Sequence, residues 1–333
     1  MKDDPIQFTE AHVQDILARM QQRRILVVGD LMLDRFVCGK VSRISPEAPV
    51  PVVHVTHESA FPGGAANVAR NLSDFGIPVS LAGIVGSDAP GQELMEALSE
   101  AGIGTEGIVQ APEIRTTVKT RVIARQQQVV RVDREHIEAL SAAHEATILG
   151  HCDRLAASAD GVIIEDYGKG LINQHMVDTL SRIAAGREIP LTADPTASNP
   201  IDWSGLSALK PNRHEAIAAA GLDDRPGGSA IDEAGLALLD RWDLEMLLVT
   251  LGEEGMCLFQ SGQPPYHTPT RARDVYDVSG AGDTAIAFFT TALAAGCSGP
   301  EAAEIANHAA GIVVGKLGTA TITPDELARS LSG

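Results

Sequence analysis

Short apolar runs recur along this chain, and stretches with helical spacing lie between most of them. Arg24–Gly29 (RILVVG) is the first run, and Val79–Val85, Gly161–Glu165, Leu191–Asp194, Ala208–Lys210 and Met246–Leu251 repeat it. A run with no polar face suits a strand buried on both sides, as in a parallel sheet. The stretches Phe8–Met20, Ala65–Phe75, Gly91–Ala101, His144–Ala157, Gln174–Ala185, Glu215–Ala220 and Ile231–Trp242 place apolar residues at helical spacing. Repeated alternation of the two predicts an α/β fold: a doubly wound, mostly parallel sheet with helices on both faces.

Two segments break the rhythm. Phe36–Glu58 is rich in Val and Pro, and Glu113–Arg134 alternates Thr, Val, Lys, Arg and Ile at period two. Both predict antiparallel strands with one wet face. They would form a small β-sheet lid, about residues 35–58 and 113–134, inserted in a single domain over residues 1–333. Neither an internal repeat nor a disordered linker is evident.

Charge narrows the function classes. The chain carries 26 Lys and Arg against 44 Asp and Glu, a net charge of −18. Such a field does not seek nucleic acid, so a phosphorylated ligand would need a local cationic pocket. Cys38, Cys152, Cys257 and Cys297 are scattered, without a CxxC and without a Cys/His spacing that suits zinc. Reduced, buried thiols are the expectation. The first residues lack the apolar core of a signal peptide, and Ala285–Ala295 is too short to span a bilayer. A cytoplasmic protein with no membrane partner is expected.

The sharpest motif is Asp277-Val278-Ser279-Gly280-Ala281-Gly282-Asp283-Thr284, followed by the apolar run Ala285–Ala295. A small-residue turn opening a helix gathers unpaired N–H groups and the positive end of the helix dipole, which makes an anion site. A carboxylate in such a turn has a chemical reason if it is a general base. Asp283 would take a proton from a substrate hydroxyl while the Gly280, Ala281 and Gly282 amides steady a transferring phosphoryl group. The plain alternative is a capped helix with glycines turning the chain. Gly29-Asp30 ends the first strand, where open α/β sheets place ligands, so Asp30 is a candidate acceptor for sugar hydroxyls, with Asp34 a further one. Neither a Walker A sequence nor a GxGxxG after the first strand occurs.

DVSGAGDT, together with Pro62-Gly63-Gly64-Ala65-Ala66-Asn67-Val68-Ala69, resembles the ribokinase-like (phosphofructokinase B) family of sugar kinases, from about Arg24 to Leu331. Val278 stands where the family commonly has Thr, but it is not the proposed base. The resemblance implies an ATP-dependent carbohydrate kinase with magnesium, and it implies roles for further residues. Gly63, Gly64 and Asn67 resemble the sugar site. Lys169 in Glu165-Asp166-Tyr167-Gly168-Lys169-Gly170 is the first candidate cation for a substrate phosphate, and Arg121 and Arg125 on the lid are the next. Asn212 and Glu215 resemble the Asn-x-x-Glu element that holds magnesium and phosphate through water. Thr250, Gly252 and Gly255 resemble the nucleotide wall. Asn307, in the tail Asn307–Thr321, resembles the closure of the adenine pocket. Asp277 and Ser279 are the candidate ligands for a monovalent cation such as K+. Family relatives pair their lids between subunits, which implies a homodimer.

Within the family, Gly29–Val53, Pro62–Leu72 and Glu165–Leu171 look most like the kinases of D-glycero-β-D-manno-heptose 7-phosphate. In many organisms these are fused to a nucleotidyltransferase. No HxGH motif occurs here, so a stand-alone kinase is the expectation. A kinase for another sugar, or a non-catalytic sensor on the same fold, are the alternatives.

Overall fold

The computed structural model describes residue 6 and residues 8–124, 127–223, 229–272, 275–316 and 318–332. Arg125 lies outside the described residues. The chain opens with α1 (Glu10–Gln21), β1 (Ile25–Gly29), β2 (Leu31–Ile44), β3 (Pro51–Gly64), α2 (Ala65–Asp74), β4 (Val79–Gly86), α3 (Ala89–Glu100) and β5 (Gly104–Ala111). It continues through β6 (Thr117–Ala124), β7 (Gln127–Arg134), α4 (Ala142–Ala156), β8 (Gly161–Glu165), α5 (Gln174–Ala185), β9 (Leu191–Asp194), β10 (Ala208–Leu209), α6 (Arg213–Ala220) and α7 (Ser229–Arg241). It ends with β11 (Met246–Thr250), β12 (Met256–Gln260), β13 (Tyr266–Thr268), α8 (Ala281–Ala294), α9 (Gly299–Val313) and α10 (Pro324–Ser332).

Nine strands form one sheet in the order β13-β12-β11-β10-β9-β8-β1-β4-β5. It is parallel from β11 to β5, while β12 and β13 close one edge as an antiparallel hairpin. β1 and β8 are buried at every residue because helices cover both faces. Alternation along β1 sorts the side chains. Ile25 and Val27 join the core under α1, α2, α8 and α9, whereas Leu26 and Val28 join the core under α4 and α5. The apolar run after the anion turn is α8, buried at every residue from Asp283 to Ala292, with the Phe288 ring edge-on to Phe75 at 4.8 Å. None of the described helices is long and apolar enough to cross a membrane.

The strand order reverses between β1 and β8, and Gly29 pairs with Glu165 there. Open α/β sheets bind ligands outside the carboxyl ends of the strands at such a switch point. Asp30 and Asp166, each following one of these strands, therefore stand at its mouth.

A second sheet, β3-β2-β6-β7, rises from that edge. It corresponds to the expected lid but begins earlier, at Leu31, and is not antiparallel throughout, because β2 and β6 pair in parallel. The reason is connectivity. β2 follows β1 and β6 follows β5, so both leave parallel strands at the same end and run the same way. β2 starts buried and ends exposed, and β7 is exposed at all eight residues. Cys152, Cys257 and Cys297 are buried, and Cys38 on the lid is only half-buried.

Candidate active site

The anion turn meets α8 at Gly280, whose φ of 79° lies in the left-handed region. A side chain there would also press on the Asn67 amide, 2.9 Å from the position a Cβ would take. Both facts call for glycine. Thr284 N–H donates to the Gly280 carbonyl at 2.9 Å, so Gly280 accepts the first helical bond. Ala281 N–H donates to the Val278 carbonyl at 3.3 Å, which gives that amide a turn-closing task beside the anion-binding one expected of it. Gly282 sits at the second helical position, where an amide has no partner within the helix. Val278 itself points outward, 69% exposed.

Asp283, at the third helical position, is buried. Asn67 Nδ2 donates to one of its carboxylate oxygens and the Tyr167 hydroxyl to the other, each at 2.6 Å. Burial pushes its carboxyl above the ordinary range, opposed by those two donors and by the Lys210 ammonium. Asn67 is oriented by its place in α2, which starts at the glycine pair ending β3. Gly64 takes φ 60° there, with a Cβ position 2.5 Å from the Asp30 carbonyl.

Asp283 is one of three acids at the floor. Carboxylate oxygens of Glu165, Asp194 and Asp283 all lie within 4.8 Å of one another. Burial raises all three carboxyls. Glu165 is lifted well above its ordinary range by burial together with Asp194 and Asp283, while Asp194 is pushed up to about 7 by burial despite Lys210. Lys210 Nζ lies 2.8 Å from Asp194; burial disfavours its charge, but Asp194 together with Glu165 and Glu215 raises the ammonium on balance. Both oxygens of Glu165 are buried without a hydrogen-bond partner. A carboxylate left so, beside two more, suits a hard divalent cation that takes oxygen ligands.

Other sequence candidates acquire neighbours that refine their tasks. Asp30 accepts from three backbone amides, Tyr167 at 2.9 Å, Lys169 at 3.0 Å and Leu171 at 3.3 Å. These bonds mould the 167–171 loop and leave the carboxylate a further lone pair for the sugar hydroxyl expected of it. Burial raises its carboxyl in spite of these donors. Asp34 forms an ion pair with Arg121, and the Arg121 guanidinium lies over the Phe36 ring at 5.5 Å. Lys169 pairs with Glu135 at 2.7 Å. Gly63 pairs with Met32 at the base of the lid, against the Asp34 carboxylate.

On the far side, Asn212 and Glu215 form a reciprocal capping box on α6: Glu215 N–H donates to Asn212 Oδ1 at 3.0 Å and Asn212 N–H to Glu215 Oε2 at 2.8 Å. The helix-start reading of these residues thus holds alongside any ligand role. Thr250 N–H donates to the Pro211 carbonyl at 3.1 Å, which sets Thr250 beside Asn212. Gly252 and Gly255 frame the short turn between β11 and β12. Asn307 sits inside α9, not in a loop, and its amide nitrogen donates to Thr268 Oγ1 and the Pro269 carbonyl at 2.8 and 2.7 Å. That amide ties α9 to the end of β13. Asp277 Oδ1 accepts from Ser279 N–H at 2.9 Å and so closes the turn.

Four residues of the floor were not singled out as site residues: Glu165, Tyr167, Asp194 and Lys210. Glu165 and Tyr167 lay inside a motif read for its lysine, and Lys210 began a motif read for its asparagine. Lys119 was also missed. Its ammonium lies 5.3 Å over the Tyr167 ring, and burial lowers it against the pull of Asp34. The period-two alternation that gave Arg121 would have given it too.

A buried carboxylate at a helix N-terminus, facing a charged floor at a switch point, suits a phosphotransferase. The pfkB family carbohydrate kinase pattern matches residues 22–326, and the chain belongs to that family. It is a carbohydrate kinase, with ATP as phosphoryl donor. Curated relatives include the bifunctional protein HldE of Geobacter sulfurreducens, 43% identical over 320 residues, covering 96% of this chain and 65% of that protein. HldE of Magnetococcus marinus is 44% identical over 316 residues, covering 93% and 64%. The chain thus spans somewhat under two thirds of the length of these relatives. Among solved structures, Arabidopsis thaliana ribokinase complexed with ribose and ATP superposes with a TM-score of 0.74 at 20% identity, covering 93% of this chain and 99% of that one. Escherichia coli phosphofructokinase-2 in complex with potassium gives 0.77 at 18%, covering 93% and 99%. At such identities the likeness is one of fold.

Proposed function

We propose that this kinase phosphorylates O1 of D-glycero-β-D-manno-heptose 7-phosphate to the 1,7-bisphosphate, a cytoplasmic step toward the ADP- or GDP-heptose precursor of lipopolysaccharide. The observation that carries the chemistry is the carboxylate of Asp283, buried and held at 2.6 Å by both Asn67 and Tyr167. The sugar assignment rests on the motifs Gly29–Val53, Pro62–Leu72 and Glu165–Leu171 and on the relatives named HldE.

In this reading Asp283 takes the proton of the anomeric hydroxyl, and that oxygen attacks the γ-phosphorus in line. Burial raises its affinity for protons, which strengthens it as a base. Amides of the Gly280–Gly282 turn meet charge on the transferring group, and ADP leaves. Tyr167 and Asn67 fix the orientation of the base, and Lys210 offsets the negative floor. Lys169, Lys119 and Arg121 surround the lid base, where the far phosphate of the sugar would need cations. Asp34 and Glu135 hold two of these in place.

Magnesium fits the floor: Glu165 and Asp194 would hold it directly, with Glu215 acting through water. When bound, it would neutralise charge on the ATP phosphates. Asp277 and Ser279 remain the proposed contacts for K+, and no step runs through that ion.

Single-turnover transfer from ATP to heptose 7-phosphate, against ribose, fructose and fructose 6-phosphate, tests the sugar. Preference for the heptose by two orders of magnitude or more in kcat/KM is expected, and a preference for any of the others overturns the assignment. We also propose a homodimer through the lid, where Val130 and Val132 are 47% and 45% exposed on one face of β7. Light scattering at micromolar concentration should give twice 35.0 kDa, and a 35.0 kDa species alone contradicts it.

A further inference from the structure

The outer edge of the nine-stranded sheet carries a second set of ligating side chains. Cys257 on β12 and His267 on β13 are register partners across the hairpin, and Asp232 reaches them from α7. Cys257 Sγ lies 3.5 Å from His267 Nε2, and Asp232 Oδ1 lies 3.2 Å from the same nitrogen. All three ligand atoms fall within 4.8 Å of one another. Asp232 Oδ1 is buried and makes no hydrogen bond.

A nucleophilic relay would set the thiol and the carboxylate on opposite nitrogens of the imidazole. Here both face Nε2, which excludes a relay and leaves three donors converging on one point. Ligand bonds to zinc of about 2.3 Å for sulfur and about 2.0–2.1 Å for nitrogen or oxygen, at tetrahedral angles, separate sulfur from nitrogen by roughly 3.5 Å and nitrogen from oxygen by roughly 3.4 Å. The two observed separations agree within a few tenths of an ångström. Thiolate, imidazole and carboxylate together suit a borderline-soft divalent ion rather than the magnesium of the kinase floor.

We propose that Asp232, Cys257 and His267 form a transition-metal site of the zinc class, which clips α7 to the β12–β13 hairpin and leaves a fourth position open beside the exposed His267. Burial, reinforced by Asp232, keeps the Cys257 thiol protonated without metal, so binding must release that proton. The clip lies one residue from Thr268, which accepts from the Asn307 amide. The metal would therefore stiffen the strand end to which α9 is tied.

The test uses the full chain stripped of metal by chelation. Co2+ titration should give one equivalent with thiolate-to-cobalt charge-transfer absorption, and Zn2+ should displace it and raise the thermal midpoint. Cys257→Ser should abolish the absorption, and His267→Asn, at an exposed position, should weaken Zn2+ binding about tenfold or more. Melting curves of both metal-free variants separate loss of the site from loss of the fold. Absence of the thiolate band in the wild type overturns the proposal, as does Zn2+ binding by His267→Asn at wild-type strength.

Discussion

The two sheets solve opposite problems with similar strands. β1 and β8 are buried throughout and end in a floor where Glu165 has no hydrogen-bond partner and Asp194 is raised to about 7 by burial. The lid runs out to β7, exposed at every residue, and its acids meet cations: Asp34 with Arg121, Asp133 with Arg131, Glu135 with Lys169. The contrast teaches where each job can be done. Proton abstraction is helped by a carboxylate stripped of water, as Asp283 is at the floor. Capture of a charged substrate needs cations near the pocket mouth: Lys169 is paired with the partly exposed Glu135, whereas the Arg121–Asp34 pair is largely buried and fixes the lid base.

The harshest way to break the contrast is Asp283→Asn. It keeps the shape and removes the base, so kcat should fall about 10³-fold while calorimetry still finds ATP binding. A kcat near that of the wild type would end the base assignment. On the lid side, Lys169→Ala should act on capture instead. We expect KM for the sugar phosphate to rise about tenfold with kcat little changed, and the rise to shrink as salt screens the attraction that Lys169 exerts in the wild type. Equal losses in kcat and kcat/KM would place Lys169 in the chemistry. The smallest effect is expected from Tyr167→Phe, a few-fold in kcat. Its hydroxyl stabilises the Asp283 carboxylate, so its loss should raise that carboxyl further. A base works only when deprotonated, and the acid limb of the kcat pH profile should therefore move to higher pH. An unmoved limb would reduce Tyr167 to packing.

Much of this was legible in the linear chain. Gln174–Ala185 and Gly161–Glu165 were readable to the residue because each carries a clean period or an unbroken apolar run. β5 was not, since Gly104 and Gly107 thin an edge strand until it lacks a pattern. α9 was missed under a tail read for Asn307, although Ser298 and Glu301 form a capping box at its start. In the site, glycines and the motif aspartate stood out because their backbone demands are local. For Asp30 only a sugar-acceptor role was readable, since nothing local announces that the loop 137 residues downstream also returns to it.

Sequence alone determined the alternating architecture, the anion turn before α8 and the carboxylate within it, since each is written in neighbouring residues by period, glycine or charge. Only the tertiary structure decided which side chains share an environment. It put Glu165, Asp194 and Asp283 together at a switch point, set Tyr167 on the Asp283 carboxylate, and brought Asp232, Cys257 and His267 to one point though their spacing resembles no metal motif. The physical reason is that burial and electrostatic coupling depend on distance in space, and the folded sheet, not the order of the chain, sets those distances.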